Sequence, residues 1–499
     1  MIATRIKPNL YKDSVALMRI AEKLLAEPGV TRATLVMGTP ANKEILEEAG
    51  LLAANAAATA PSDLIVVIEA HGGAAAEAAL GLVDGALSGG SLAGTVGESR
   101  EIAPKTIHMG HARLAEANLV QVSVPGAYAG AEALKAVKAG LNVFLFSDNV
   151  PIEQERTLKM LARQKGVLVM GPDCGTAIIG GVPLGFANVV RRGRIGVIGA
   201  SGTGLQEVTS QIHLMGEGIS HAIGTGGRDV KAQIGGITML SALELLANDS
   251  ETTVIGIVSK PPAPDVMRAV VEQAGKAGKP VVFVFLGGES IPLPPSLTQT
   301  HTLYECAAAC VRAAGTPVPA ASFAPPPANK TGKGKYLRGL FSGGTFCTEA
   351  QVALKALGVA SWSNVPLDKS RSLKDLARSQ EHTMLDLGDD DFTIGKPHPM
   401  IDPSTRVARI AQEAADPDTA ALLIDIVLGY AGHMDPAGAL SQAIMQAKTT
   451  RDLPVVAFVC GTEEDPQVRS RQEASLKAAG CIVARSSSEA ARIAAALVA

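Results

Sequence analysis

Aromatic residues are scarce in this chain: 3% of 499 residues, with a single tryptophan. Its cores must therefore be built from alanine, valine, leucine and isoleucine, which suits parallel sheets covered by alanine-rich helices. Six cysteines without any C-x-x-C pair exclude a zinc framework and point to reduced thiols. Charge is balanced, 45 basic against 48 acidic residues, with no basic stripe for nucleic acid and no polybasic patch for a membrane. Apolar runs such as Val281 to Gly288 are far shorter than the roughly 20 residues a spanning helix needs. The opening Met1-Ile2-Ala3-Thr4-Arg5 does not begin a signal peptide, so a cytoplasmic protein is expected.

What is present is alternation. Apolar runs of strand length recur between helical patterns, among them Asp63 to Glu69, Leu119 to Val124, Leu141 to Phe146, Arg194 to Gly199, Thr253 to Val258, Val281 to Leu286, Leu337 to Phe341, Ala421 to Val427 and Pro454 to Val459. That rhythm predicts an α/β protein of three doubly wound units. The expected boundaries are a Rossmann-like CoA-binding-type domain over 1–168, a flavodoxin-like ligase-type domain over 169–316, a Pro- and Gly-rich linker over 317–335, and a second flavodoxin-like ligase-type domain over 336–499.

Two junctions stand out. In RIGVIGASGTGLQEVTS, Ser201, Gly202, Thr203 and Gly204 sit where a strand hands over to a helix. Ser342, Gly343, Gly344 and Thr345 repeat the arrangement. The first N–H groups of a helix lack intrahelical partners and its dipole is positive there, so each junction predicts an anion site, and the two together predict a clasp on one phosphate. The spacing G-x-x-G-x-G, with no acidic residue about 20 positions on, speaks against NAD, and no P-loop motif occurs.

Other candidates come from loops that follow strands. Arg228, Lys260, Lys396 and His398 are placed to contact a carbonyl or carboxylate, with surface ion pairing as the alternative. Asp173 and Asp389 are placed to orient those cations, with turn formation as the alternative. His433 with Asp435 could supply acid–base chemistry or a helix cap. His108 and His111 lack a third ligand, so no metal is assigned; Cys306 and Cys310 read as small buried hydrophobes. Ser404-Thr405-Arg406 is a fragment of the S-T-R-T loop of well-known carbamoyltransferases and reads as a helix cap.

The run from Leu119 to about Pro262 resembles the α subunit of succinyl-CoA synthetase, through Val124-Pro125, SDNVP, GPDCGT and IGVIGASGTG. From about Tyr336 the chain resembles the ligase-type domain of the β subunit, through SGGT, MLDLGDD and LLIDIVLG. The whole chain is identified as a member of the FdrA family on MGTPANK, FSDNV, VMGPDCGT, GEGISHAIG, GGRD, SKPP, GKPHPMIDP and GTEEDPQ.

That resemblance implies an acyl-CoA-synthetase-like protein serving as a subunit of an oxamate carbamoyltransferase in allantoin catabolism. It would work with other polypeptides, as an oligomer, on phosphate and carbamoyl phosphate as substrates. The synthetase's phosphohistidine motif G-H-A-G-A is replaced by Gly287 to Pro292 and on to His301, its glycine-rich CoA loop by KPNLYKDS, and no ATP-grasp segment precedes residue 336. Whether CoA still binds therefore stays open. The expected reaction is carbamoyl transfer between oxalurate and phosphate. An acyl-CoA ligase-like enzyme and a non-catalytic phosphate-binding scaffold are the alternatives.

Overall fold

The computed structural model describes residues 1–10, 12, 14–88, 103–318, 334–394 and 396–498. Most of the expected 317–335 linker lies outside the described residues. The chain forms two compact units, one of residues 1–103 with 394–397, the other of residues 104–393 with 398–499.

In the first unit Leu64–Ala70 is the central strand, antiparallel to both Ile2–Lys7 and Val30–Met37. Successive side chains of a strand point to opposite faces, and both faces here are covered. Leu64, Val66 and Ile68 pack with Leu17, Leu24 and Val83 from the helices Ser14–Leu25 and Gly73–Ser88, while Ile65 and Val67 pack with Leu46, Leu51 and Ala56. Within the stretch expected to be one Rossmann-like domain there are thus two sheets. The second, parallel one belongs to the other unit and runs just past residue 168, in the order Leu119–Val122, Asn142–Leu145, Val169–Met170. A fully buried strand reads the same whether its neighbours run parallel or antiparallel, so hydropathy does not separate the two sheets.

The rest of the second unit carries two larger sheets. A seven-stranded sheet runs Leu297–Thr300, Val281–Phe285, Val254–Ser259, Arg192–Gly199, Ile219–Gly224, and then the hairpin Thr176–Ile179 with Val182–Gly185. A six-stranded, all-parallel sheet runs Trp362–Ser363, Thr383–Asp386, Tyr336–Phe341, Thr419–Val427, Val455–Cys460, Ile482–Ala484. The hairpin and the two-residue edge strand Trp362–Ser363 aside, both have the strand order 2-1-3-4-5 of doubly wound flavodoxin-like sheets, and such sheets bind ligands where the order reverses, beyond the carboxyl ends of the strands.

Between the two sheets lie the helices Gly202–Leu214, Leu303–Ala313, Gly344–Ala356 and Ser487–Ala496. Leu205, Val208, Ile212, Cys306 and Cys310 from one half share a continuous core with Phe346, Leu354, Ala491 and Ala495 from the other. Apolar burial on this scale welds the two halves at their helical faces. Among the described residues no helix is long and apolar enough to cross a membrane.

Candidate active site

Arg192–Gly199 delivers the first loop. A Cβ at Gly199 would lie 2.5 Å from Leu205 Cγ, and one at Gly204 would lie 2.9 Å from Val258 Cγ1, so glycine lets the new helix turn back tightly onto the sheet. Ser201 caps the helix in extended conformation, its Oγ accepting from Gly204 N–H at 3.0 Å. Tyr336–Phe341 delivers the second loop, where Gly343 caps the helix Gly344–Ala356.

The structure brings these two helix starts together, but onto each other. Ser201 Oγ is hydrogen-bonded to Thr345 Oγ1. A Cβ at Gly343 would lie 2.7 Å from Thr203 Oγ1 and closer still to Thr203 Cγ2. The two hydroxyls expected to clasp a phosphate are thus bonded to each other, and the positive ends of both helices converge on this point. Ser342 is also occupied, its N–H lying 3.1 Å from both carboxylate oxygens of buried Asp425 and its Oγ donating to Asp425 Oδ2 at 2.5 Å. A carboxylate of the protein fills the place where an external anion would meet Ser342.

Asp425 is held from its other side by Arg406 Nη2 at 2.7 Å, and Arg406 also donates to Leu340 O and Asp425 O. The Ser404-Thr405-Arg406 fragment is thus more than a cap: Pro403 is the cap residue, Ser404 Oγ donates to Asp402, and Arg406 turns inward. His398 lies nearby, its ring 5.8 Å from that of Phe186. Burial first, and then the Arg406 charge, push His398 down to about 4, so it is neutral at pH 7. Its Nδ1 accepts from Met400 N–H at 3.2 Å, which leaves the proton on Nε2, and a Cβ at Gly388 would lie 2.6 Å from that nitrogen. A ring protonated at Nε2 is a donor there and not a nucleophile.

At the end of Thr383–Asp386 sits a carboxyl that sequence reasoning placed only within an acidic loop. Burial pushes Asp386 up to about 7, with the Asp389 charge adding to it and Gly388 N–H and Lys260 opposing it. A Cβ at Gly344 would lie 2.6 Å from Asp386 Oδ2, so the carboxyl abuts the start of the second helix. Lys260, at the end of Val254–Ser259, is exposed, and its charge acts on Asp386, Asp389 and Cys347. Asp389 is raised, first by its burial and then by Asp391 and Asp390.

Asp173 stands at φ 56° after Gly171-Pro172, and burial, with Asp148 and Asp390 adding, lifts it to about 6. Arg228 acts on Asp173 but is itself engaged: Nε pairs with Glu155 at 2.9 Å and Nη2 donates to Val150 O at 2.7 Å. Lys396 is exposed and belongs to the first unit, which leaves it unplaced relative to these groups. Lys260, Asp386 and Asp389 therefore gather at the second helix start. Asp173 and Arg228 form a neighbouring acidic corner with Asp148 and Asp390.

Cys306 and Cys310 are fully buried. His433 Nδ1 accepts from Asp435 N–H, and Asp435 caps the next helix through Gly438 N–H. His301 is exposed, with Ser290 Oγ 3.5 Å from its Nε2. His108 and His111 fall on the short helix Ile107–Arg113, and among the described residues no three His, Cys, Asp or Glu side chains are placed around one metal position.

Comparison with known proteins assigns the parts. A family model described as CoA-ligase matches residues 340–497, a CoA binding domain matches 190–287, and an AllF heavy metal-associated domain matches 1–104. Residues 1–103 contain no cysteine and one histidine, His71, and so do not furnish the thiolates or imidazoles a soft metal takes. The Escherichia coli (strain K12) protein YahF is 42% identical over 97% of this chain and 96% of its own. The α subunit of an ADP-forming succinate–CoA ligase from Aquifex aeolicus is 28% identical over 37% of this chain, which spans 60% of that subunit. A dinucleotide-forming acetyl-coenzyme A synthetase 1 from Ca. Korarchaeum cryptofilum aligns with 76% of this chain and 82% of its own at 16% identity and a TM-score of 0.33. The carbamoyltransferase expectation is corrected by the sequence matches: the model over 340–497 is described as CoA-ligase, the one over 190–287 as a CoA binding domain, and the α-subunit relative is a succinate–CoA ligase.

Proposed function

The chain belongs to the FdrA family of acyl-CoA-synthetase-like proteins, and on that premise we propose that it catalyses the CoA-dependent half of a ligase reaction. In that step the CoA thiol attacks the carbonyl of an acyl phosphate, the bond from carbonyl carbon to phosphate oxygen breaks, and inorganic phosphate departs with the electron pair while the thiol proton is lost to a base. The reaction needs neither nucleotide nor phosphohistidine. That fits a chain whose segment from Gly287 to His301 has no G-H-A-G-A motif.

The observation that carries this reading is the meeting of the two helix starts at Ser201 and Thr345, one from the CoA-binding-type half and one from the ligase-type half. Two positive helix ends converge where phosphate charge develops as the anhydride opens. Asp386, pushed up to about 7 by its burial and lying beside the second helix start, is suited to take up the thiol proton. Succinyl phosphate is the first substrate to try, since the α-subunit relative bears the name of a succinate ligase. Partner polypeptides, which the family resemblance implies, would supply the nucleotide-dependent half.

The test is to incubate the chain with succinyl phosphate and CoA and follow thioester and phosphate release, and to run the reverse with succinyl-CoA and labelled phosphate. Equal release of phosphate and thioester supports the reading. Absence of both, across a panel of acyl phosphates and with partner polypeptides added, sinks it.

A further inference from the structure

Next to Asp386 is a cleft of about 470 Å³ lined by Lys260, Val365, Pro366, Lys369 and Ser372. It is broadly open to solvent, as suits a charged group that stays hydrated. Lys260 directly follows the strand Val254–Ser259 of the seven-stranded sheet, and the other four residues come from the segment after Trp362–Ser363 of the six-stranded sheet.

The wall on that side is built. Gln351 donates to Val365 O at 3.2 Å and accepts from Leu367 N–H at 3.0 Å. Ser363 Oγ accepts from Val365 N–H at 3.0 Å. Asn364 joins the backbone of Asp386 by two bonds of 3.0 Å, one in each direction. The loop that carries Lys369 is thus anchored to the helix Gly344–Ala356 and to the strand that ends at Asp386.

Neither Lys260 nor Lys369 has a hydrogen bond or ion pair at its ammonium among the described residues. Arg371, two residues further on, is by contrast engaged with Glu381 and stacked over Trp362 at 5.1 Å. Beyond the Asp386 and Asp389 carboxyls that the Lys260 charge reaches, the two cations lining this cleft have no partner among the described residues, and a ligand with two negative groups supplies one for each. Lysine meets phosphate as a rotatable point charge, and the Ser372 hydroxyl adds a neutral donor.

We propose that this cleft binds the diphosphate group of a phosphorylated ligand, with Lys260 and Lys369 each facing one phosphate. The site itself stands on these two lysines and the anchored wall; only the choice of CoA as one source of the diphosphate rests on the ligase reading.

The experiment is calorimetric titration of the full chain at low salt with inorganic pyrophosphate, CoA, ADP and pantetheine. Pyrophosphate is expected to bind, with affinity falling as salt rises. Lys260→Ala and Lys369→Ala should each weaken it about tenfold. Lys276→Ala, at an exposed lysine paired with Glu272, serves as the control and should leave affinity unchanged. CoA binding without pantetheine or ADP binding names CoA as the source, and ADP binding names a nucleotide. Failure of pyrophosphate to bind, or wild-type affinity in both variants, overturns the proposal. Pyrophosphate binding without any thioester formation keeps the site and discards the ligase reading, whereas thioester formation without pyrophosphate binding does the reverse. Unchanged thermal unfolding of the two variants confirms that any loss is local.

Discussion

Glu207 and Glu349 occupy equivalent places, each six residues beyond the cap of its helix, Ser201 and Gly343, and each satisfies the start of a helix from the opposite half. Glu207 accepts from Ser487 N–H at 3.1 Å, and Glu349 accepts from Leu303 N–H at 2.9 Å while also bonded to Ser487 Oγ. The capping is reciprocal, so each half completes the other's helix terminus inside the shared core.

These carboxyls predict a pH-sensitive joint. Burial lifts Glu349 to about 7, with Ser487 Oγ and Leu303 N–H opposing, and burial also raises Glu207. A carboxyl raised on folding stabilises fully below its unfolded value near 4.5 and loses that contribution as pH rises through about 7. Calorimetric melting temperature should therefore fall between pH 5 and pH 8, and Glu349→Gln should flatten the slope by an amount on the order of 2–3 kcal/mol across that range. A slope as steep in the variant as in the wild type would remove Glu349 as its source.

Gly343→Ala drives a methyl group into Thr203. Overpacking of this kind costs roughly 1–3 kcal/mol, and denaturant unfolding should record it. Thr203→Ala removes the Oγ1 and Cγ2 atoms involved, so the double variant should recover part of the loss. A purely additive double variant would show that the two helix starts do not touch.

Arg406→Met leaves Asp425 buried without its cation, a loss of about 3–5 kcal/mol. Arg406→Lys should recover little of it, because one Nη2 reaches Leu340 O, Asp425 O and Asp425 Oδ1 together. Urea unfolding of both variants distinguishes this from a surface pair, for which either change would cost under about 1 kcal/mol.

Asp386→Asn removes the carboxyl pushed up to about 7. If that group takes the thiol proton, thioester formation rises through pH 7 in the wild type as Asp386 ionises, and the inflection disappears in the variant along with most of the rate, about 100-fold. An unchanged pH profile assigns the carboxyl to the structure alone.

Much of the fold was legible because it is local. The apolar runs that end at Gly199 and Phe341, each followed by small residues and a helical pattern, mark strand, loop and helix without reference to anything distant. The same local rule placed Ser201 and Gly343 at helix starts. What filled those starts was decided by partners far along the chain. Ser201 meets Thr345 across 144 residues, Ser342 meets Asp425 across 83, and Glu207 meets Ser487 across 280. Hydropathy and glycine spacing report which backbone conformations a segment adopts. They do not report which carboxylate arrives at a helix end, because that depends on how two sheets pack through their shared helices. The sequence by itself thus determined the two α/β halves and their positively charged helix starts. Only the tertiary structure decided that the starts close on each other and that Lys260 and Lys369, far apart in the chain, line one cleft, since burial and pairing exist only once the chain has folded.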